Sequence, residues 1–105
     1  MSKSSITIDQ VILPPVHPGE VLAEELAELS VSVSALARAL DVPQSRMAEI
    51  VSGKRSVTAD SALRLAAYFG TSARLWLNLQ AAYDLAMTEV EHGPHISSVV
   101  RPWAA

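Results

Sequence analysis

Between Ser32 and Gly53 the chain has room for two short helices and a tight turn. In VSALARAL, residues 33–40, Leu36, Ala37 and Leu40 fall on one side at helical period, and Ser32 stands before them as a hydroxyl N-cap. The triplet Asp41-Val42-Pro43 then ends the helix. Proline has no amide hydrogen to continue the ladder. Asp41 tolerates the left-handed conformation that a tight turn often needs, though less readily than glycine. Pro43 suits the first turn of a further helix, about residues 43–52. There Met47, Ile50 and Val51 share one side, while Ser45, Ala48, Glu49 and Ser52 share the other, with Gln44 and Arg46 at the flanks. Gly53 stops this helix, and Lys54 and Arg55 follow at once.

The segments around this pair are also helical. HPGEVLAEELAELS opens with proline and acids, both favourable in a first turn, and carries Leu22, Leu26 and Leu29 as its apolar stripe. His17 precedes that helix and is read as a residue that caps or orients it. Thr58 caps a fourth helix with Asp60 in its first turn, a stripe of Ala62, Leu63, Ala66 and Phe69, and Gly70 as its stop. Ser72 caps a fifth, running to about Glu89. One of its stripes holds Leu75, Trp76, Leu79, Ala82, Tyr83 and Ala86, and a second holds Leu77, Ala81 and Leu85. A helix that is apolar on two sides needs two neighbours, and in a domain this small the second is expected to be another copy of the chain, most simply in a two-fold dimer.

The remaining segments are a 1–16 arm closed by Pro14 and Pro15, and a 91–105 tail punctuated by Gly93 and Pro94. Both are expected to be short and extended. HISSVV, residues 95–100, has strand-like composition and is a potential partner for the stretch SITIDQVIL near the N-terminus. The domain organisation is therefore an arm over 1–16, a helical domain over 17–90, and a tail over 91–105.

A chain of 105 residues is enough for one modest core, and half of them are hydrophobic, which argues against disorder throughout. With no cysteine, a disulfide scaffold, a thiolate metal site and a cysteine nucleophile are all excluded. No apolar run approaches the roughly 18 residues of a membrane span, and the N-terminus lacks the pattern of a secretory signal. The expected location is the cytoplasm. No nucleophile elbow, glycine-rich phosphate loop or carboxylate pair stands out, so no enzyme activity and no cofactor are expected. His92 and His95 are read as surface histidines rather than metal ligands. Trp103 is left between packing on a dimer and covering a partner.

The net charge of −3 is unevenly spread. Glu20, Glu24, Glu25 and Glu28 make the first helix acidic, whereas residues 38–55 carry Arg38, Arg46, Lys54 and Arg55 against Asp41 and Glu49. Two short helices joined by a tight turn, the second with a small polar outer face, form the helix-turn-helix plan, and such a face lets a helix backbone approach the edges of bases in the major groove. On this plan Gln44, Ser45, Arg46 and Glu49 are the base-reading candidates: Gln pairs with adenine, Arg with guanine, Glu accepts from cytosine, and Ser is permissive. Ser32 and Ser34, with the amides at the start of their helix, and Ser52, Lys54 and Arg55 beyond the reading helix, are the phosphate-gripping candidates. Arg46 and Glu49 are also spaced to pair with each other.

The run LARALDVPQSRMAEIVSGKRSVTADSALRLAAYFG resembles the XRE/Cro-type helix-turn-helix family, and with HPGEVLAEEL before it and LWLNLQAAYDLA after it the chain looks like the HigA-type antitoxins of bacterial toxin–antitoxin modules. The likeness covers about residues 17–87 and departs from the usual pattern at Asp41, where the family commonly has glycine. It implies an all-α, five-helix, lambda-repressor-like domain that binds a palindromic double-stranded operator as a homodimer and represses its own operon. It also implies neutralisation of a small basic RelE-like toxin that cleaves mRNA. By the same likeness Trp76, Leu79 and Tyr83 stand where such proteins dimerise, although a Trp and a Tyr at helical spacing are core residues first. A repressor without a toxin, or a protein-interaction module that has lost DNA binding, are the alternative readings.

Overall fold

The computed structural model describes residues 15–103. The expected pairing of SITIDQVIL with HISSVV involves residues 5–13, which lie outside the described residues. Five helices follow one another: α1 (Pro18–Leu29), α2 (Val33–Leu40), α3 (Gln44–Val51), α4 (Ala59–Phe69) and α5 (Ala73–Val99), and no strand occurs among the described residues. The all-α expectation holds.

The ends of the helices are set locally. Ser32, Thr58 and Ser72 accept hydrogen bonds from the amides of Ala35, Ser61 and Leu75 at 3.0, 3.3 and 3.1 Å, as hydroxyl N-caps do. Pro43 is the N-cap of α3 rather than its first helical residue and makes no side-chain cap bond. Asp41 closes α2 in the left-handed region at φ 59°, and the Val42 amide reaches back to the Ala37 carbonyl at 3.1 Å. That back-bonded turn does what a glycine usually does at a helix C-terminus. Ser30 closes α1 in the same way at φ 58°.

The core gathers Leu22 and Leu26 from α1, Leu36, Ala37 and Leu40 from α2, Met47 and Ile50 from α3, Val57, Ala62 and Leu65 around α4, and Trp76 from α5. α2 packs on α3 and α4 on α5, while α1 lies across α3 and α5. Two sequence expectations need correcting. On α4 it is Leu65, not Leu63, that enters the core; Leu63 sits one helical step away from the Ala62–Ala66–Phe69 line and is exposed. Leu29, expected in the α1 stripe, is exposed in the last turn before Ser30 bends the chain away.

The larger difference is at the C-terminus. Residues 91–99 are not extended: α5 continues through Gly93 and Pro94 for 27 residues in all, about 40 Å of helix. Proline's fixed φ is itself helical, so Pro94 removes one backbone bond without forcing the chain out of the helix. The strand-like composition of HISSVV is a weak preference, and in the helix the Ser98 hydroxyl bonds the His95 carbonyl at 2.7 Å. Among the described residues this last part of α5 is left largely uncovered: Val90 is 76 % exposed and Val99 55 %.

Candidate nucleic-acid interface

α3 turns Met47 and Ile50 fully inward, which leaves Gln44, Ser45, Ala48 and Ser52 exposed along its outer side. The polar side chains there are short, and no other element among the described residues covers them. Glu49 is half-buried at the edge of this surface. Its carboxylate does not pair with Arg46. It accepts instead from Arg55, whose Nε lies 2.7 Å and Nη2 2.6 Å from the same oxygen. The backbone supports that pairing, because the Lys54 and Arg55 amides both donate to the Glu49 carbonyl, at 2.8 and 3.2 Å. Gly53 makes this reversal with φ 82°. Lys54 and Arg55 thus lie at the surface beside the end of α3, Arg55 held there by Glu49.

On the preceding helix, Ser32 caps α2, and the Ser34 hydroxyl accepts from Arg38 Nη1 at 3.0 Å. Ser32 keeps its own proton free to donate outward.

Arg46 is placed differently from the other candidates. Its Nη1 lies 2.5 Å from Asp60 Oδ2 and 3.5 Å from Ser61 Oγ, so its guanidinium is turned toward the first turn of α4 and its side chain is 28 % exposed. Asp60 Oδ2 also accepts from Arg64 Nε at 2.9 Å, and Arg64 Nη1 donates to the Leu40 carbonyl at 2.8 Å and the Asp41 carbonyl at 3.4 Å. The turn of the helix-turn-helix is therefore held by a residue of α4. Sequence reasoning noted Asp60 only as a first-turn acid and missed Arg64; the i, i+4 spacing of the two was the signal available.

The hydrogen bonds from Arg46 and then Arg64 hold the Asp60 carboxyl below its ordinary value of 3.8. A depressed carboxylate contributes its stabilisation above the unfolded-state pKa and loses it as pH falls through the lower folded-state value. The stability difference between the wild type and Asp60→Asn should accordingly be constant at neutral pH and shrink only below about pH 4. Chemical denaturation at stepped pH measures this, and a difference that changed between pH 6 and 8 would contradict it.

A buried side chain fixes the loop between α3 and α4. Gln80, 5 % exposed on α5, accepts from the Val57 amide at 2.8 Å and donates to Asp84 at 2.9 Å. His17 caps α1 through Nδ1, which accepts from the Gly19 amide at 2.9 Å, and its ring meets Tyr83 edge-on at 5.0 Å.

The three residues expected at a dimer interface are spent largely inside the chain. Trp76 is 3 % exposed, donates to Thr71 Oγ1 at 3.0 Å and lies against Phe69; Leu79 packs on the core, and Tyr83 is half-buried on His17. The free apolar stripe of α5 is the second one, with Leu77, Ala81 and Leu85 all exposed. No group of three or more potential metal ligands occurs among the described residues, and no helix among them is long and apolar enough to cross a membrane.

Comparison with known proteins agrees with this geometry. The family described as Helix-turn-helix matches residues 22–76. Virulence-associated protein I of Dichelobacter nodosus is 55% identical over 78 residues, 73% of this chain and 72% of that protein. A solved addiction module antidote protein of the HigA family from Coxiella burnetii superposes with a TM-score of 0.83 at 49% identity, covering 87% of this chain and 100% of the other. The Pseudomonas aeruginosa antitoxin HigA, solved with the higBA promoter, gives 0.81 at 44% identity over 85% of this chain and 98% of that one. With its helix pair, its exposed α3 and these relatives, the chain belongs to the XRE-type helix-turn-helix family, a non-enzymatic family of regulators, and has the fold of its HigA-type antitoxins.

Proposed function

We propose that this protein is a cytoplasmic antitoxin and autorepressor: a homodimer that binds a palindromic operator through α3 and captures a small basic toxin of the RelE-like, mRNA-cleaving kind. The observation that carries the DNA half is the bare outer side of α3, with Gln44 and Ser45 exposed, Lys54 exposed beside it, and Arg55 at the same edge paired with Glu49. A related antitoxin solved with promoter DNA supports the same use. Gln44, Ser45 and Glu49 read bases, Glu49 in company with Arg55, while Ser32, Ser34, Ser52, Lys54 and Arg55 hold phosphates. The acidic outer side of α1, with Glu20, Glu24, Glu25 and Glu28 all exposed, complements a basic toxin by charge.

Dimerisation is assigned to α5, and within it to Leu77, Ala81 and Leu85 rather than to the buried Trp76. Two copies joined there are expected to present their reading helices at successive major grooves, about 34 Å apart. Changing Leu77 and Leu85 together to Glu should convert a dimer to a folded monomer by sedimentation, with helical content unchanged. A variant that stayed dimeric would move the interface elsewhere.

The DNA reading is tested by titrating the protein's own promoter region at several salt concentrations. Four phosphate contacts, Lys54 and Arg55 from each copy, predict that log K falls against log salt with a slope of about −4. Gln44→Ala should weaken promoter binding by roughly 1–3 kcal/mol and relax preference at one base pair. Binding that ignored salt would remove α3 from the backbone of DNA. For the toxin half, co-expression with an adjacent small basic reading frame should restore growth, and charge reversal of the α1 glutamates should abolish that rescue.

A further inference from the structure

We propose that Asp60 and Arg64 are positioning residues for the reading helix, acting through Arg46 as a strut, so that base preference comes from Gln44, Ser45 and Glu49 and not from Arg46. This rests on the reading of α3 as the helix that enters DNA.

The geometry ties three helix ends together. Arg64 Nη1 donates to the Leu40 and Asp41 carbonyls, where α2 ends and the turn begins. A cation is favoured there by the partial negative charge of the helix C-terminus. Asp60 lies in the first turn of α4, where an anion is favoured. Its Oδ2 takes Arg64 Nε from one side and Arg46 Nη1 from the other. Arg46 lies in the first turn of α3. A continuous chain of charge-assisted bonds thus runs from the end of α2, through α4, to the start of α3.

The two covalent ends of the reading helix do not supply this restraint by themselves. Pro43 makes no side-chain cap bond, and α3 is only eight residues long. Its amino-terminal end is fixed by the packing of Met47 and by the Arg46–Asp60 link. Exposed ion pairs add little to stability, so the bond to Asp60 is not chiefly a stabilising one. Its effect is on placement, and a site displaced by about 1 Å loses most of its advantage. For Arg46 to read guanine it would have to leave a carboxylate oxygen already oriented by Arg64 and uncouple α3 from α4 in the same step. Gln44 and Ser45, in contrast, have no side-chain partner among the described residues and need give up none.

The experiment selects binders from a random-sequence duplex DNA pool with the wild type, Gln44→Ala, Arg46→Ala and Asp60→Asn, and in parallel follows amide exchange of the DNA-free proteins. Arg46→Ala and Asp60→Asn should each lower affinity about tenfold across all selected sequences, leaving the order of preference at every base pair intact. Gln44→Ala should instead erase preference at one position. In the DNA-free Asp60→Asn protein the Val42 and Arg46 amides should exchange faster, and Asp60→Glu should restore part of both effects. Loss of preference at a single base pair in Arg46→Ala, without the same loss in Asp60→Asn, overturns the proposal and makes Arg46 a reader. Unchanged affinity and exchange in Asp60→Asn overturn it as well. If the wild type retains no duplex from the pool, the reading of α3 itself has failed; the brace is then decided by exchange alone, and unchanged exchange overturns it.

Discussion

Gly19→Ala should lower the stability of this protein by about 3 kcal/mol or more, the upper end of overpacking penalties. Gly19 is buried in the first turn of α1, where the helix backbone lies directly on the end of α3. A Cβ there would fall 1.9 Å from the Ile50 carbonyl oxygen and 2.8 Å from that of Val51. Both obstacles are backbone, so no side-chain rotation relieves them. α1 must lift, and in lifting it strains the bond from the Gly19 amide to His17. The helix preference of alanine over glycine, about 1 kcal/mol, is too small to offset this. Thermal unfolding should show a fall in Tm on the order of 10–20 °C. Gly93→Ala is the matched control. Its Cβ would meet only Glu89 Cβ at 3.9 Å, and removing a helix-interior glycine should raise stability by roughly 0.5–1 kcal/mol. Equal, small effects from the two substitutions would mean that α1 does not rest on α3 as described.

Trp76→Ala should cost about 3–5 kcal/mol, the usual range for emptying an aromatic site in a core. The indole is buried, its Nε1–H is bonded to Thr71, and its ring lies 5.9 Å from that of Phe69. The substitution removes that packing and leaves Thr71 without its donor. Because the loss is within one chain, the fall in Tm should be similar at every protein concentration and the surviving folded protein should still self-associate. A variant of nearly normal Tm that sedimented as a monomer would return Trp76 to the interface between copies.

What the amino-acid order made legible was mostly local. The hydroxyl caps at Ser32, Thr58 and Ser72, the left-handed Asp41 and the inward faces of α2 and α3 depend on neighbours a few residues away, and each is found as expected. The exposed Gln44 and Ser45 follow from the same periodicity. The failures involve distance along the chain. Arg46 and Asp60 are fourteen residues apart, Arg64 and Leu40 twenty-four, and Val57 and Gln80 twenty-three, and no pattern of spacing announces such pairs. Gly19 read only as part of a helix start, because the surface it must approach belongs to α3. Trp76 is legible as a core residue first, and only the family likeness points it toward an interface. On α4, Leu63 and Leu65 are both apolar, and which one turns inward depends on helices that the segment itself does not specify. Gly93-Pro94 suggests a terminator, but within α5 proline costs one missing amide and the helix runs on to Val99.

The hydrogen bond from the Val57 amide to Gln80 has a mechanical meaning. It fastens the basic loop to the long helix by a crosspiece hidden from solvent, so the loop's height above the body is dictated from behind. Whatever holds α5 steady, a second molecule included, also steadies the span carrying Lys54 and Arg55.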